Sequence, residues 1–224
     1  MTIIIRTFAR KIIKIADMKK LFIMVLSLMP LSMWAQANTW EQPEETQEQE
    51  TVNKDKPNHN AKYLRGAVPV VNGMVEFSKT IEAPGKTADQ IFNIVKDYMT
   101  KMTGEKNQIN SMLIVDDIKT HEIGGRYEEW LVFKKAALAL DQTRFIYVLD
   151  AMCKNGQVEL KLSHIQYLYE EQRKAERLKA EGWITDDDAV NKKNTKLYPI
   201  TGKFRRKTID RKDYIFDKIE SLLK

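Results

Sequence analysis

Apolar residues between positions 87 and 104 recur every three or four residues, which is the spacing of an amphipathic α-helix. Thr87 and Gln90 stand at the spacing of a capping box, in which each side chain bonds a free backbone amide at the helix start. Gly104 supplies a stop signal at the other end. The pattern predicts a helix whose buried side is formed by Ile91, Ile94, Val95, Tyr98 and Met102.

Segments rich in β-forming residues lie on both sides of this helix in the sequence. Before it, Asn72-Gly73 between valine-rich segments predicts a strand pair joined by a tight turn. After it, alternating apolar and polar residues predict four more strands. These are Met112 to Lys119, Tyr127 to Phe133, Thr143 to Cys153 and Val158 to Tyr167.

The turn at Asn155-Gly156 determines how the last two predicted strands pair. With a two-residue turn, Asp150 lies opposite Lys161 on the solvent side, as an exposed charge pair. The pairs on the core side are then Cys153 with Val158, Ala151 with Leu160 and Leu149 with Leu162. One face of the sheet is therefore expected to be buried and the other to be wetter.

Charged residues dominate the chain after the last predicted strand. We expect a helical stretch from Glu170 to Glu181, and a short helix at Asp186-Asp187-Asp188, where carboxylates oppose the helix dipole. A calcium loop is excluded, because Val190 and Asn191 occupy the positions where an EF-hand needs a ligand and a glycine. Asp210 is the predicted N-cap of a final helix, with Ile215, Phe216, Ile219, Leu222 and Leu223 on one side.

The order of elements, β-α-β-β-β-β-α, predicts an α+β fold in which helices pack on one face of a curved antiparallel sheet. We assign residues 61–170 to this domain. Residues 171–224 form a helical and basic extension that packs on it. No internal repeat is present.

The first 37 residues have the organisation of a signal peptide behind an N-terminal extension. Lys19-Lys20 precedes an apolar run from Leu21 to Met29, which is too short to anchor in a bilayer. Ala35 and Ala37 supply small side chains for cleavage before Asn38, and a cut after Ala35 is the alternative. Residues 1–17 either lengthen the basic region or follow a start codon placed upstream of Met18. Residues 38–60 are acidic and predict a disordered linker.

Charge and cysteine content narrow the classes of function. The 224 residues carry a net charge of +6, but residues 1–35 account for nearly all of it and leave +1. This balance gives no support to nucleic-acid binding. Cys153 is the one cysteine, so no internal disulfide forms, and it lies too far from the leader to be a lipid-attachment site. No apolar run reaches the ~20 residues of a membrane span. The predicted location is the periplasm or cell envelope.

Candidate chemistry is sparse, and no catalytic, metal or cofactor motif is found. His121 and His164 have no partner by spacing, and Cys153 lies in an apolar stripe where a thiol is usually inert. The basic stretch near the C-terminus is the strongest candidate for binding an anionic ligand. It consists of Lys203, Phe204, Arg205, Arg206 and Lys207, and a solvated edge is its simpler interpretation.

Several segments together resemble a known family. They are Val68-Pro69-Val70-Val71-Asn72-Gly73, Ala83-Pro84-Gly85-Lys86-Thr87, Lys154-Asn155-Gly156 and the leader end Trp34-Ala35-Gln36. Residues 66–170 resemble the domain-of-unknown-function family described as having a TBP-like fold. The resemblance implies exported proteins of Gram-negative envelopes and no transferable catalytic residues. The fold label describes shape, so DNA binding does not follow from it.

The sequence thus favours an exported, non-catalytic module that binds a partner protein or a small anionic envelope ligand. Its binding surface would be the basic stretch or the outer face of the sheet, where Trp130 and Ile146 are expected to be exposed. An enzyme is the first alternative, with His164 or His121 and a carboxylate in a pocket between sheet and helices. A structural spacer of an envelope assembly is the second.

Overall fold

A computed structural model describes residues 60–136, 139–169 and 175–224. The predicted leader and almost all of the predicted linker lie outside the described residues. The strands are β1 (Val70–Val71), β2 (Met74–Val75), β3 (Phe77–Glu82), β4 (Met112–Asp117), β5 (Glu122–Ala136), β6 (Ala139–Lys154), β7 (Gln157–Tyr169) and β8 (Glu176–Lys179). The helices are α1 (Ala88–Thr103), α2 (Asp186–Ala189) and α3 (Pro199–Leu223), with short 3-10 helices at Ala61–Tyr63 and Ala180–Gly182.

Six strands form one antiparallel sheet in the order β3-β7-β6-β5-β4. The sixth strand, β8, pairs with the far end of β7, beyond the part that β3 covers. Strands β1 and β2 form a separate hairpin around Asn72-Gly73, where both residues have positive φ. The predicted α+β class with an antiparallel sheet is confirmed.

Two predicted elements differ from the structure in the C-terminal extension. Part of the segment expected to be helical, residues 176–179, is strand β8, because β7 extends past β3 and leaves backbone groups that β8 pairs with. The last helix begins at Pro199 rather than at Asp210, so the basic stretch is helical as well. Asp210 is not an N-cap. It lies within α3 and accepts hydrogen bonds from Lys62 Nζ at 2.6 Å and Tyr63 Oη at 2.8 Å.

The predicted register of the β6–β7 hairpin is confirmed, up to a bulge at His164. Cys153 lies opposite Val158 and Leu149 opposite Leu162. His164 then adopts a positive φ of 54°, and the pairing resumes with one extra residue in β7. Before the bulge, residues 158, 160 and 162 of β7 face the core. After it, residues 165 and 167 face the core. His164 therefore does not pair with Tyr147, as a regular hairpin would have required.

Helices α1 and α3 pack on one face of the sheet, which we call the inner face. Helix α1 has the predicted capping box, with Thr87 and Gln90 both bonded as expected. Aromatic rings line the centre of the inner face, and Tyr127 stacks on Tyr147 with ring centroids 5.3 Å apart. Gly125 makes this arrangement possible, because a Cβ there would lie 2.5 Å from the Tyr127 ring. Aromatic and aliphatic side chains from the sheet and from helices α1 and α3 therefore fill the core.

A buried ion pair connects α3 to the centre of the sheet. Arg211 and Glu129 are both fully buried, and the guanidinium donates to both carboxylate oxygens, at 2.8 and 2.7 Å. Asn107 and Gln108 also donate to Glu129, and Glu105 accepts from Arg211 at 3.0 Å. Such a pair is tolerated because hydrogen bonds satisfy both carboxylate oxygens of Glu129 and the Nε and Nη2 groups of Arg211.

We predict that Arg211→Met lowers the free energy of unfolding by about 3 to 5 kcal/mol, because it leaves the Glu129 carboxylate buried without its counter-charge. Urea denaturation followed by circular dichroism measures this loss. Lys218→Met, on the exposed side of the same helix, is the matched control and should change stability by less than about 1 kcal/mol. Equal losses in the two variants would contradict the assignment.

Candidate functional site

The predicted anionic-ligand stretch lies within α3, and two of its members are fully buried. Phe204 packs edge-on against Tyr167, with ring centroids 5.0 Å apart. The Arg205 guanidinium donates to the backbone carbonyls of Tyr63 and Leu64 at 2.6 Å each. It also donates to the carbonyl of Ile184 and to the Asp186 carboxylate, both at 2.7 Å. Arg205 thus ties three chain segments together.

The other three members of the stretch differ in their surroundings. Lys203 Nζ lies 4.6 Å from the ring centre of Phe133 and donates to Asp141 at 2.7 Å. Lys207 is buried and Arg206 is half-buried. The five residues follow one another along the helix but do not converge on one surface, so binding of an anion by this stretch stays a prediction.

The histidines and the cysteine lie in separate places. His121 Nε2 is 2.6 Å from Asp89 Oδ1 at the start of α1, and His164 Nδ1 is 2.9 Å from Ser163 Oγ at the β7 bulge. Cys153 is buried, and this burial raises the pKa of its thiol to about 12. The thiol is therefore protonated at neutral pH and is a poor nucleophile.

A cleft of about 720 Å³ opens on the face of the sheet that the helices leave free, which we call the outer face. Two cross-strand rows of side chains line it. The first row is Val115, Gly124, Asp150, Lys161 and Ser78. The second row is Glu122, Met152, Glu159 and Thr80. We call this site the outer-face cleft.

Gly124 lets the side chains of Asp150 and Val115 lie close to the backbone at the floor of the outer-face cleft. A Cβ at this position would lie 3.0 Å from Asp150 Oδ1 and 3.2 Å from Val115 Cβ, both closer than ordinary contact. Its φ is not in the left-handed region, so the backbone would accept a side chain. The glycine therefore permits this close approach, and a side chain at position 124 would displace Asp150 and Val115.

The electrostatics of the cleft centre on Asp150. This carboxyl is about half-buried, and the loss of hydration raises its pKa, an effect that Lys161 and His164 oppose and that Glu76 and Glu122 reinforce. Lys161 pairs with Glu76 at 3.3 Å. The predicted pairing of Asp150 with Lys161 is thus correct in register, but Asp150 is less exposed than we expected.

The opposite end of the outer face has a different character. Glu128 is buried there between the guanidinium groups of Arg126 and Arg144. Ile146, which the sequence suggested to be exposed, is buried with 8% of its surface accessible, and Trp130 is half-buried. Long arginine side chains cover this part of the face. The exposed apolar patch that we expected there is absent among the described residues.

Comparison with known proteins identifies the family. A family model described as a domain of unknown function (DUF4468) with a TBP-like fold matches residues 77–168. A crystal structure of a DUF4468 family protein from Bacteroides ovatus ATCC 8483 is 38% identical, covers 75% of this chain and 96% of its own, and has a TM-score of 0.69. This chain belongs to the DUF4468 family. The predicted family resemblance is confirmed.

A second solved structure, a TBP-like protein from Parabacteroides distasonis ATCC 8503, shares the DUF4468 fold. It is 20% identical, covers 70% of this chain and 96% of its own, and has a TM-score of 0.57. No curated protein matches the chain.

The part of this DUF4468 chain that the structure describes holds no metal-binding cluster and no membrane-spanning helix. No group of three or more His, Cys, Asp or Glu side chains there is arranged to hold a metal ion. None of the helices described is both long enough and apolar enough to cross a bilayer.

Sequence reasoning did not single out the outer-face cleft of this DUF4468 protein. The hairpin register already brought Asp150 and Lys161 to the outer face, which was the available signal. It could not bring in Val115 and Gly124, because the register of β4 with β5 and of β5 with β6 was not predicted from the sequence.

We predict that Asp150→Asn stabilises the folded protein at pH 7. The free energy of unfolding should rise by up to about 1 kcal/mol, and the thermal unfolding midpoint should rise with it. The pKa of this carboxyl is raised in the folded protein, so the folded state loses stability as the pH rises through that pKa. The advantage of the variant should therefore shrink as the pH is lowered. Thermal unfolding of the variant and the wild type between pH 4 and 8 measures this difference. Asp97→Asn, at an exposed position, is the control. A lower midpoint at pH 7 would contradict the prediction.

We also predict that Cys153 is unreactive in the native protein. Burial keeps its thiol protonated, so a colorimetric disulfide reagent at pH 8 should modify it only after denaturation in guanidinium chloride. Rapid reaction under native conditions would show that the thiol is accessible.

Proposed function

We propose that this DUF4468 protein is an exported, non-catalytic binding module of the cell envelope, and that it holds its ligand or partner in the outer-face cleft. One observation carries the proposal: a cleft of about 720 Å³ lies on the sheet face that the helices leave free. Pockets of this size are typical of small-molecule sites. Gly124 at its floor sets the positions of Asp150 and Val115, which any larger residue would displace.

The chemistry of the lining favours recognition over reaction. Carboxylates, the hydroxyls of Ser78 and Thr80 and the Lys161 ammonium can donate or accept hydrogen bonds to a ligand. Nucleophilic catalysis needs a nucleophile and a base within about 3 Å of each other. The lining named for the cleft, all of it within the described residues, contains neither histidine nor cysteine.

The cleft is favoured over the basic stretch of α3 as the ligand site. Arg205, the centre of that stretch, directs its guanidinium to carbonyls and a carboxylate of the chain itself. An anion would have to displace these bonds, which are buried and costly to break. The polar side chains of the cleft, in contrast, are at least partly exposed, and the ion pairs of Glu159 with Lys154 and of Lys161 with Glu76 lie near the surface.

Export is supported by the leader. A basic segment, an apolar run and small residues at Ala35 and Ala37 are the features that signal peptidase substrates share. The near-zero net charge that remains after cleavage suits a module that binds a specific partner rather than polyanions in general.

Native mass spectrometry of the full-length protein, expressed in a Gram-negative host and recovered from the envelope fraction, tests the proposal. We expect a mass that corresponds to cleavage before Asn38 or Gln36, and additional mass from a retained ligand or partner. Gly124→Ala should reduce that additional mass, because the new Cβ intrudes on the cleft.

Gly182→Ala is the matched control, since a Cβ at Gly182 meets nothing within 4 Å and the position lies outside the cleft lining. It should retain the ligand as the wild type does. An uncleaved chain in the cytoplasm would contradict export. Additional mass that persists unchanged in Gly124→Ala would show that the ligand binds elsewhere.

A further inference from the structure

The second row of the outer-face cleft has a regular spacing. Glu122, Met152 and Glu159 lie side by side on β5, β6 and β7, because Glu122 pairs with Met152 and Met152 with Glu159. Neighbouring strands are about 4.8 Å apart, so the two glutamates are separated by roughly 10 Å. The thioether side chain of Met152 provides an apolar surface between them.

Charge in the cleft is unbalanced. Three carboxylates, those of Glu122, Asp150 and Glu159, line it together with two lysines. Lys161 pairs with Glu76 at 3.3 Å, and Lys79 pairs with Asp217 and Glu220 of α3. The remaining negative charge favours a cation as ligand.

The two glutamates can both be reached by a ligand. Glu159 pairs with Lys154 at 2.7 Å, but both side chains are about half-exposed, so this pair exchanges readily. Glu122 makes no ion pair recorded within the described residues, and it borders the space above Gly124. A cation that enters the cleft can therefore reach the Glu122 carboxylate directly, and it can replace Lys154 at the Glu159 carboxylate.

The shape of the site argues for an elongated cation. A metal ion requires oxygen ligands within about 2.6 Å, whereas these glutamates belong to strands two positions apart. An alkyl chain can instead lie along Met152 and reach both carboxylates with its two ends. Val115, on the neighbouring row, extends the apolar floor.

We propose that the outer-face cleft binds a linear aliphatic diamine, with one ammonium at Glu122, the other at Glu159 and the methylene chain along Met152. This inference rests on the proposed function, since it specifies the ligand class of the same cleft. Asp150, which lies over Gly124 in the neighbouring row, adds negative charge near the first ammonium.

Isothermal titration calorimetry of the full-length protein with 1,6-diaminohexane tests the inference. Two probes of equal length separate charge from shape: 1,6-hexanediol is neutral and adipate is an anion. We expect the diamine to bind and the other two to give no heat of binding. Raised ionic strength should weaken the binding of the diamine, because the contacts are between charges near the surface.

Substitutions locate the site. Glu122→Gln and Glu159→Gln should each weaken diamine binding by at least about tenfold, since each removes one charge-assisted hydrogen bond and preserves side-chain size. Glu176→Gln is the matched control, because Glu176 is exposed on β8 outside the cleft lining. It should bind as the wild type does.

The outcomes separate this inference from the proposed function. Binding of hexanediol or adipate as tightly as the diamine would overturn the diamine assignment and leave the cleft as a binding site. Absence of diamine binding, or equal loss in Glu122→Gln and Glu176→Gln, would overturn it as well. The proposed function itself fails if native mass spectrometry shows an uncleaved cytoplasmic chain, or no ligand or partner that depends on Gly124.

Discussion

The buried ion pair between Arg211 and Glu129 is the constraint on which the arrangement of this domain depends. Burying two charges is costly, so the pair exists only where the geometry supplies nearly all of their hydrogen bonds. Asn107, Gln108 and Glu105 supply them, and this requires the loop after α1, the middle of β5 and the middle of α3 to meet at one point. The position of α3 across the sheet follows from this meeting.

Placing α3 there determines where a ligand can bind. The long helix and the stacked aromatic rings fill the inner face, which is the space where the enzyme alternative required a pocket. The outer face keeps its open cleft, with Gly124 as floor and Asp150 partly desolvated. A carboxylate whose burial costs stability is more typical of a functional position than of a structural one.

Local patterns predicted most of the fold. The capping box of Thr87, the Asn72-Gly73 turn and the β6–β7 register each depend on residues within a few positions of one another, and all three are confirmed. The expected helix at residues 176–179 was wrong because the free edge of β7 offered backbone partners to that segment. The charged composition of residues 176–179 does not indicate that this segment pairs with the edge of β7.

The sequence by itself determined the family, the α+β class, the turns and the one-sided burial of α1, because these follow from short-range periodicity and turn chemistry. Only the tertiary structure decided what the charged residues do. Arg205 belongs to a basic stretch of the sequence, yet it is buried against partners as many as 142 positions away, and Arg211 is buried against Glu129. The cleft likewise joins five strands, and side chains brought together from separate strands leave no local pattern in the sequence.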